Sequence, residues 1–253
     1  MPRQPLFVGE VALIVVDIQR AFMSEPEGRG AAWTEERGTS GRQSTSDEGR
    51  RRLKAARKRA GDRALPGQQS GIPHMDGAAE RIARAEELVA AARAAKIPVI
   101  FFQEAHRRSG VDFGRELDGA EGVHCLEGDE ATELWPTLRP IDGEYHIVKR
   151  RYSGFIGTEF ELLLKGLGIS TLVLIGGLTD VCVHYTFADA HQRDFYVRVV
   201  EDCVGGSSEA RHLASLDAME YLQAGARRST REILDAFAAL AAGPGVTVPG
   251  ATR

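Results

Sequence analysis

Short, continuously apolar runs alternate along the chain with longer stretches whose apolar residues recur every three or four positions. "VALIVVD" (11 to 17) is apolar at consecutive positions and rich in β-branched residues, which predicts a strand buried on both faces of a sheet. "VIFFQ" (99 to 103), "YHIVK" (145 to 149), "TLVLIGG" (171 to 177) and "YVRVV" (196 to 200) read as further strands, with a short one near "ARRS" (226 to 229). After Asp76, which is suited to cap a helix, Ile82, Ala85, Leu88, Val89 and Ala92 repeat at helical spacing, and Pro98 marks the stop. Helices are predicted over 158 to 168, 181 to 193, 208 to 223 and 230 to 241. Strands alternating with such helices imply right-handed crossovers, hence an α/β fold with a parallel sheet covered on both faces.

The pattern dissolves from Ser24 to about His74. "GRRRLKAARKRAGDR" places Arg50, Arg51, Arg52, Lys54, Arg57, Lys58, Arg59 and Arg63 in one stretch flanked by small and polar residues. Residues 24 to 75 therefore read as a charged, solvated surface insertion, with a contact for an acidic partner or a neighbouring subunit as the sharper alternative.

Composition narrows the class. A chain of 253 residues with 43% hydrophobic content can bury one sizeable core, so residues 1 to 253 are expected to form a single domain. A formal charge of -4 and a pI near 6.0 offer no electrostatic footprint for nucleic acid or an anionic membrane, leaving a small molecule as the expected partner. No apolar run approaches the ~20 residues that span a bilayer. The widely spaced Cys125, Cys182 and Cys203 form no paired framework, and with no secretory pattern at the start the expectation is a cytoplasmic protein with free thiols.

Position then singles out three side chains. In open α/β sheets ligands bind beyond the carboxyl ends of the strands. Asp17 ends the first predicted strand, Lys149 ends the third, and Cys182 follows the fourth at the expected start of a helix. Separately these read as a turn or cap residue, a solvated strand end and a small core residue. Together they supply a nucleophile, a cation and a proton carrier. A thiol with an unperturbed pKa of ~8.5 needs help to ionise, which a helix N-terminus and the Lys149 ammonium would give. Asp17 could accept the thiol proton and return it to a leaving amine. The N–H of Cys182, with another from the turn at Gly177 and Leu178, could cradle an oxyanion.

"VALIVVDIQRAF", "VKRRYSGFIGT" and "GGLTDVCVHYTFADA" resemble the three signature blocks of the isochorismatase-like cysteine hydrolases, a superfamily that includes nicotinamidases, N-carbamoylsarcosine amidase, ureidoacrylate amidohydrolase and biuret hydrolase. The resemblance implies a three-layer α/β/α sandwich on a six-stranded, mostly parallel sheet, with Asp17 as base, Lys149 as charged orienter and Cys182 as nucleophile. It further implies a cis peptide between Gly177 and Leu178, an oxyanion hole from the N–H groups of Leu178 and Cys182, a homo-oligomer, and no cofactor. "KRRYSGF" and "FFQEAHR" are similar to the ureidoacrylate and biuret branch. That likeness implies a small amide, ureido or carbamoyl substrate split through a thioester, with Phe22, Glu104, His106, Arg151 and Tyr152 as substrate-binding residues. Two alternatives stay open. Glu104, His106 and His124 stand at a spacing comparable to the metal ligands of nicotinamidases, although no metal is expected here. In another class, the chain would be a non-catalytic scaffold or a redox sensor using Cys182. Asp180, beside the nucleophile, is expected to cap the following helix, shared with Thr179.

Overall fold

The computed structural model describes residues 5–23, 75, 77–118 and 122–242. Six strands form one sheet: β1 (Glu10–Val16), β2 (Val99–Glu104), β3 (Tyr145–Lys149), β4 (Ile169–Gly177), β5 (Tyr196–Gly205) and β6 (Arg227–Arg228). Their order is β3-β2-β1-β4-β5-β6, and every neighbouring pair is parallel. The order reverses at β1, which lies between β2 and β4.

The continuous apolar run of β1 has a direct structural cause, since alternate side chains feed two different cores. Val11, Leu13 and Val15 pack with helices α2 (Ala78–Ala94) and α6 (Thr230–Ala241) on one face. Ala12, Ile14 and Val16 pack on the other with α3 (Phe160–Gly166), α4 (His184–His191) and α5 (Glu209–Leu222). Residues 11 to 16 of β1 are all buried. This gives the expected three layers. A short helix, α1 (Arg20–Met23), follows β1 directly.

The structure moves three expected boundaries. β5 runs past Val200 to Gly205, because the polar pair that interrupts its apolar run is satisfied in place: Arg227 Nε donates to Glu201 at 2.9 Å, and Thr230 N donates to Asp202 at 2.8 Å. α2 starts behind Gly77 at φ 63; Asp76, the expected cap, lies outside the described residues. Cys182 lies in a five-residue π-helical turn, Thr179–Val183, ahead of α4. Of the insertion at 24 to 75 only Met75 is described, and it is buried beneath the β4 end. Among the described residues no helix is long and apolar enough to cross a membrane.

Candidate active site

The carboxyl ends of β1, β2 and β3 and the turn after β4 each deliver one polar side chain to a common point. At the end of β1 the backbone turns at Asp17 through a left-handed conformation, φ 48, which is uncommon for a residue bearing a side chain. Two residues on, the Gln19 amide brackets the end of β2. Its Nε2 donates to the Glu104 carbonyl at 2.9 Å and to the Thr132 carbonyl at 2.7 Å, while its Oε1 accepts from Glu104 N at 2.9 Å. Gln19 is wholly buried, so these bonds satisfy a polar group that would otherwise be costly inside. The pairing of β2 with β3 sets Glu104 opposite Lys149. Beyond β4, the Gly177–Leu178 peptide is cis, as the resemblance implies, and the π-helical turn then presents Cys182.

Lys149 Nζ is the hub. It lies 2.7 Å from Asp17 Oδ2, 3.1 Å from the Arg151 carbonyl, 3.3 Å from Cys182 Sγ and 3.6 Å from Glu104 Oε2. The Asp17 contact is a close ion pair. Asp17, Glu104, Lys149 and Cys182 are 1%, 3%, 0% and 4% exposed, so the four share a medium in which charges interact strongly.

Their electrostatics follow from that confinement. Burial pushes the Asp17 carboxyl above its ordinary range; Lys149 opposes the rise and the Glu104 charge adds to it. Burial also acts on Glu104, but Lys149 and hydrogen bonds from His106 and His124 hold its carboxyl well below the usual range. Lys149 resists the deprotonating effect of burial because Asp17, Cys182 and Glu104 surround it, and its ammonium is held well above the usual range. The Cys182 thiol is pushed well up by burial, against Lys149 and with both carboxylates adding to the effect. The expectation of a readily ionised sulfur is thus corrected: one ammonium faces two carboxylates, and the resting thiol keeps its proton.

A small, narrow cleft lies over this cluster. Phe22, Tyr152, Leu178 and Val181 give its apolar and aromatic lining; Glu104, His124 and Cys182 give its polar lining. Of the expected substrate-binding residues, Phe22, Glu104 and Tyr152 therefore reach the cleft. His106 does not: it is 0% exposed, stands against Glu104 with Nε2 3.2 Å from Oε1, and stacks on Phe113 at 4.0 Å. Arg151 does not either, because its guanidinium turns outward to the Asp112 carbonyl at 2.6 Å, leaving its own carbonyl to meet Lys149. Asp180 does not cap the helix behind Cys182. Its carboxylate instead accepts from Ser207 N at 2.7 Å, and Thr179 pairs with His212 Nδ1 at 2.9 Å.

The ligand atoms of Glu104, His106 and His124 lie within 4.8 Å of one another. Two imidazole nitrogens and a carboxylate oxygen form a donor set that suits zinc, and both Nε2 atoms converge on Glu104 Oε1, at 3.2 Å and 3.3 Å. None of the three cysteines is in a disulfide, and all three are buried. Cys203, in β5, donates to the Arg81 carbonyl at 3.6 Å, and burial pushes its thiol well up.

Residues 62–232 match the model of the isochorismatase domain. The chain belongs to the isochorismatase family. The matched span begins beyond β1, so Asp17 lies outside it. Over 163 residues the chain is 31% identical to ureidoacrylate amidohydrolase RutB of Methylobacterium radiotolerans, covering 58% of this chain and 63% of that protein, less than two thirds of its length. Among solved structures it is similar to a cysteine hydrolase from Pseudomonas syringae pv. phaseolicola, with TM-score 0.65, 20% identity, and 91% and 93% of the two chains covered. N-carbamoylsarcosine amidase from Thermoplasma acidophilum matches with TM-score 0.59, 24% identity, and 87% and 96% covered. At these identities the structural likeness establishes the shared fold.

Proposed function

We propose that this isochorismatase-family chain is a hydrolase that cleaves the C–N bond of a small amide, ureido or carbamoyl substrate through a thioester on Cys182. The observation that carries the reading is one buried ammonium, Lys149, 2.7 Å from Asp17 and 3.3 Å from Cys182 Sγ on the floor of a cleft. The likeness to ureidoacrylate amidohydrolase supports the substrate class.

The charge count makes the arrangement suited to the chemistry. Moving a proton from Sγ to Asp17 shifts the negative charge from one partner of Lys149 to another without changing the total, so the buried cluster gains no net charge. Asp17, whose carboxyl is already pushed towards its protonated form, is the favoured acceptor. Sγ then attacks the substrate carbonyl carbon, and the N–H groups of Leu178 and Cys182 hold the oxyanion. Asp17 returns its proton to the leaving nitrogen as the C–N bond breaks, which releases ammonia or an amine. Water attacks the thioester, giving one proton to Asp17. The C–S bond breaks, and the proton passes back to the thiol.

The test is a screen of ammonia release across biuret, ureidoacrylate, N-carbamoyl amino acids, nicotinamide and simple amides, with Cys182→Ala in parallel. Cys182→Ala is expected to melt like the parent and release no ammonia; full release from it would end this reading.

The convergence of Glu104, His106 and His124 favours a second reading, a metal-assisted amidase of the nicotinamidase type. There the three residues would hold a divalent cation, which would supply Lewis acidity to a bound substrate or water. Loss of turnover in chelator, restored by added zinc, would select it.

A further inference from the structure

The two oxygens of Glu104 stand in different surroundings. Oε1 is shared by His106 and His124, at 3.2 Å and 3.3 Å. Oε2 faces the reacting centre, 3.7 Å from Cys182 Sγ and 3.6 Å from Lys149 Nζ. Three nearer acceptors compete for the three hydrogens of that ammonium: Asp17 at 2.7 Å, the Arg151 carbonyl at 3.1 Å and Sγ at 3.3 Å. The hydrogen bond to Oε2 therefore comes from the thiol itself. Once the thiol gives its proton to Asp17, Oε2 of the buried Glu104 loses that donor, a costly condition that the incoming substrate can relieve.

We infer that Glu104 is the specificity-determining residue of the cleft: Oε2 accepts an N–H of the substrate's carboxamide or carbamoyl –NH2 beside the sulfur and turns away a carboxylate placed there. The inference deepens the hydrolase reading and rests on it for the word substrate, while its geometry rests on Glu104 and Cys182. A substrate that carries a carboxylate elsewhere is still accepted if that group lies at the far end of the molecule from the scissile carbonyl. A carboxamide and a carboxylate are nearly the same size, so the discrimination is one of charge and hydrogen bonding rather than of volume.

Iodoacetamide and iodoacetate test this directly, since they are an amide and a carboxylate of similar shape that both alkylate a thiol with loss of iodide. Rates are read at the Cys182 peptide by mass spectrometry, which separates it from Cys125 and Cys203, using the full chain without added metal. The amide-to-carboxylate rate ratio at Cys182 is expected to be about tenfold or more higher in the folded protein than in urea, from Coulomb repulsion at this separation. In Glu104→Gln the ratio is expected to fall back towards the value in urea. A merely structural effect of the substitution would slow or speed both reagents together and leave the ratio unchanged. Equal ratios in the folded parent and in urea, or equal ratios in the parent and Glu104→Gln, would overturn the inference. So would one tightly held divalent ion per chain that Glu104→Gln loses, because Glu104 would then be a ligand. If Glu104→Gln fails to fold, the comparison of folded parent with urea decides. No turnover enters the measurement, so its failure leaves the Cys182→Ala test standing, and the reverse holds too.

Discussion

The tips of β1 and β2 each point a buried carboxylate at the same ammonium, yet the two acids behave in opposite ways. Asp17 is the nearer, at 2.7 Å from Lys149 Nζ against 3.6 Å for Glu104, and by distance it should be the more readily ionised. It is instead pushed above the ordinary carboxylate range while Glu104 is held well below. Burial penalises both. The difference lies in the second set of neighbours: Glu104 has His106 and His124 on Oε1, whereas Asp17 feels the Glu104 charge more than it does either of its own hydrogen bonds, to Lys149 or to Cys182. The neighbours beyond the cation, more than proximity to it, set which acid can take up a proton. One tip can therefore act as a base while the other keeps a fixed charge.

Replacing Asp17 by Asn should break this division most severely. The variant is expected to fold and to alkylate at Cys182, but to lose about 10²- to 10⁴-fold in kcat, the usual contribution of a positioned general base. Turnover near the parent level would move the base role elsewhere, to Glu104 first. Lys149→Met removes the charge that both tips share and leaves two buried carboxylates without their cation. A loss of about 3–5 kcal/mol in urea unfolding is expected, and an unfolding curve superimposable on the parent's would show that Lys149 does not hold the cluster together. The smallest effect is a shift of a pH profile. As the proposed base, Asp17 would work only when unprotonated, so kcat/KM should rise with pH through its pKa. The Glu104 charge helps to raise that pKa, and Glu104→Gln should therefore move the acid limb to lower pH. A limb that stays in place or moves upward would contradict the coupling.

The strands were legible in the sequence because a sheet buried on both faces leaves no polar alternation to misread, as in residues 11 to 16. Asp17, Lys149 and Cys182 were legible because strand tips are where reactive side chains collect in this architecture, and the structure gathers all three. What the pattern did not carry was the orientation of neighbours. Nothing in "KRRYSGF" reveals that Arg151 turns its guanidinium away while its carbonyl meets Lys149. Nothing in "LTDVC" reveals that Asp180 reaches across to Ser207, because its partner comes from a loop after the next strand. Gln19 was overlooked although it stands in "DIQRAF", two residues from the proposed base. A buried amide so close to a catalytic candidate is a signal that strand-end reasoning could have used. The polarity of the sulfur's setting was misjudged because the second carboxylate, Glu104, comes from a strand 78 residues away from Cys182 in sequence.

Lys149 meets Asp17 and Cys182 only after β3 has docked on β2, β2 on β1, and β4 on β1. Chemical competence is thus a property of four docked strands together and of none of them alone. A partly assembled intermediate carries the parts of the reaction centre but no ammonium beside the sulfur, and a fragment truncated before β4 lacks the sulfur altogether.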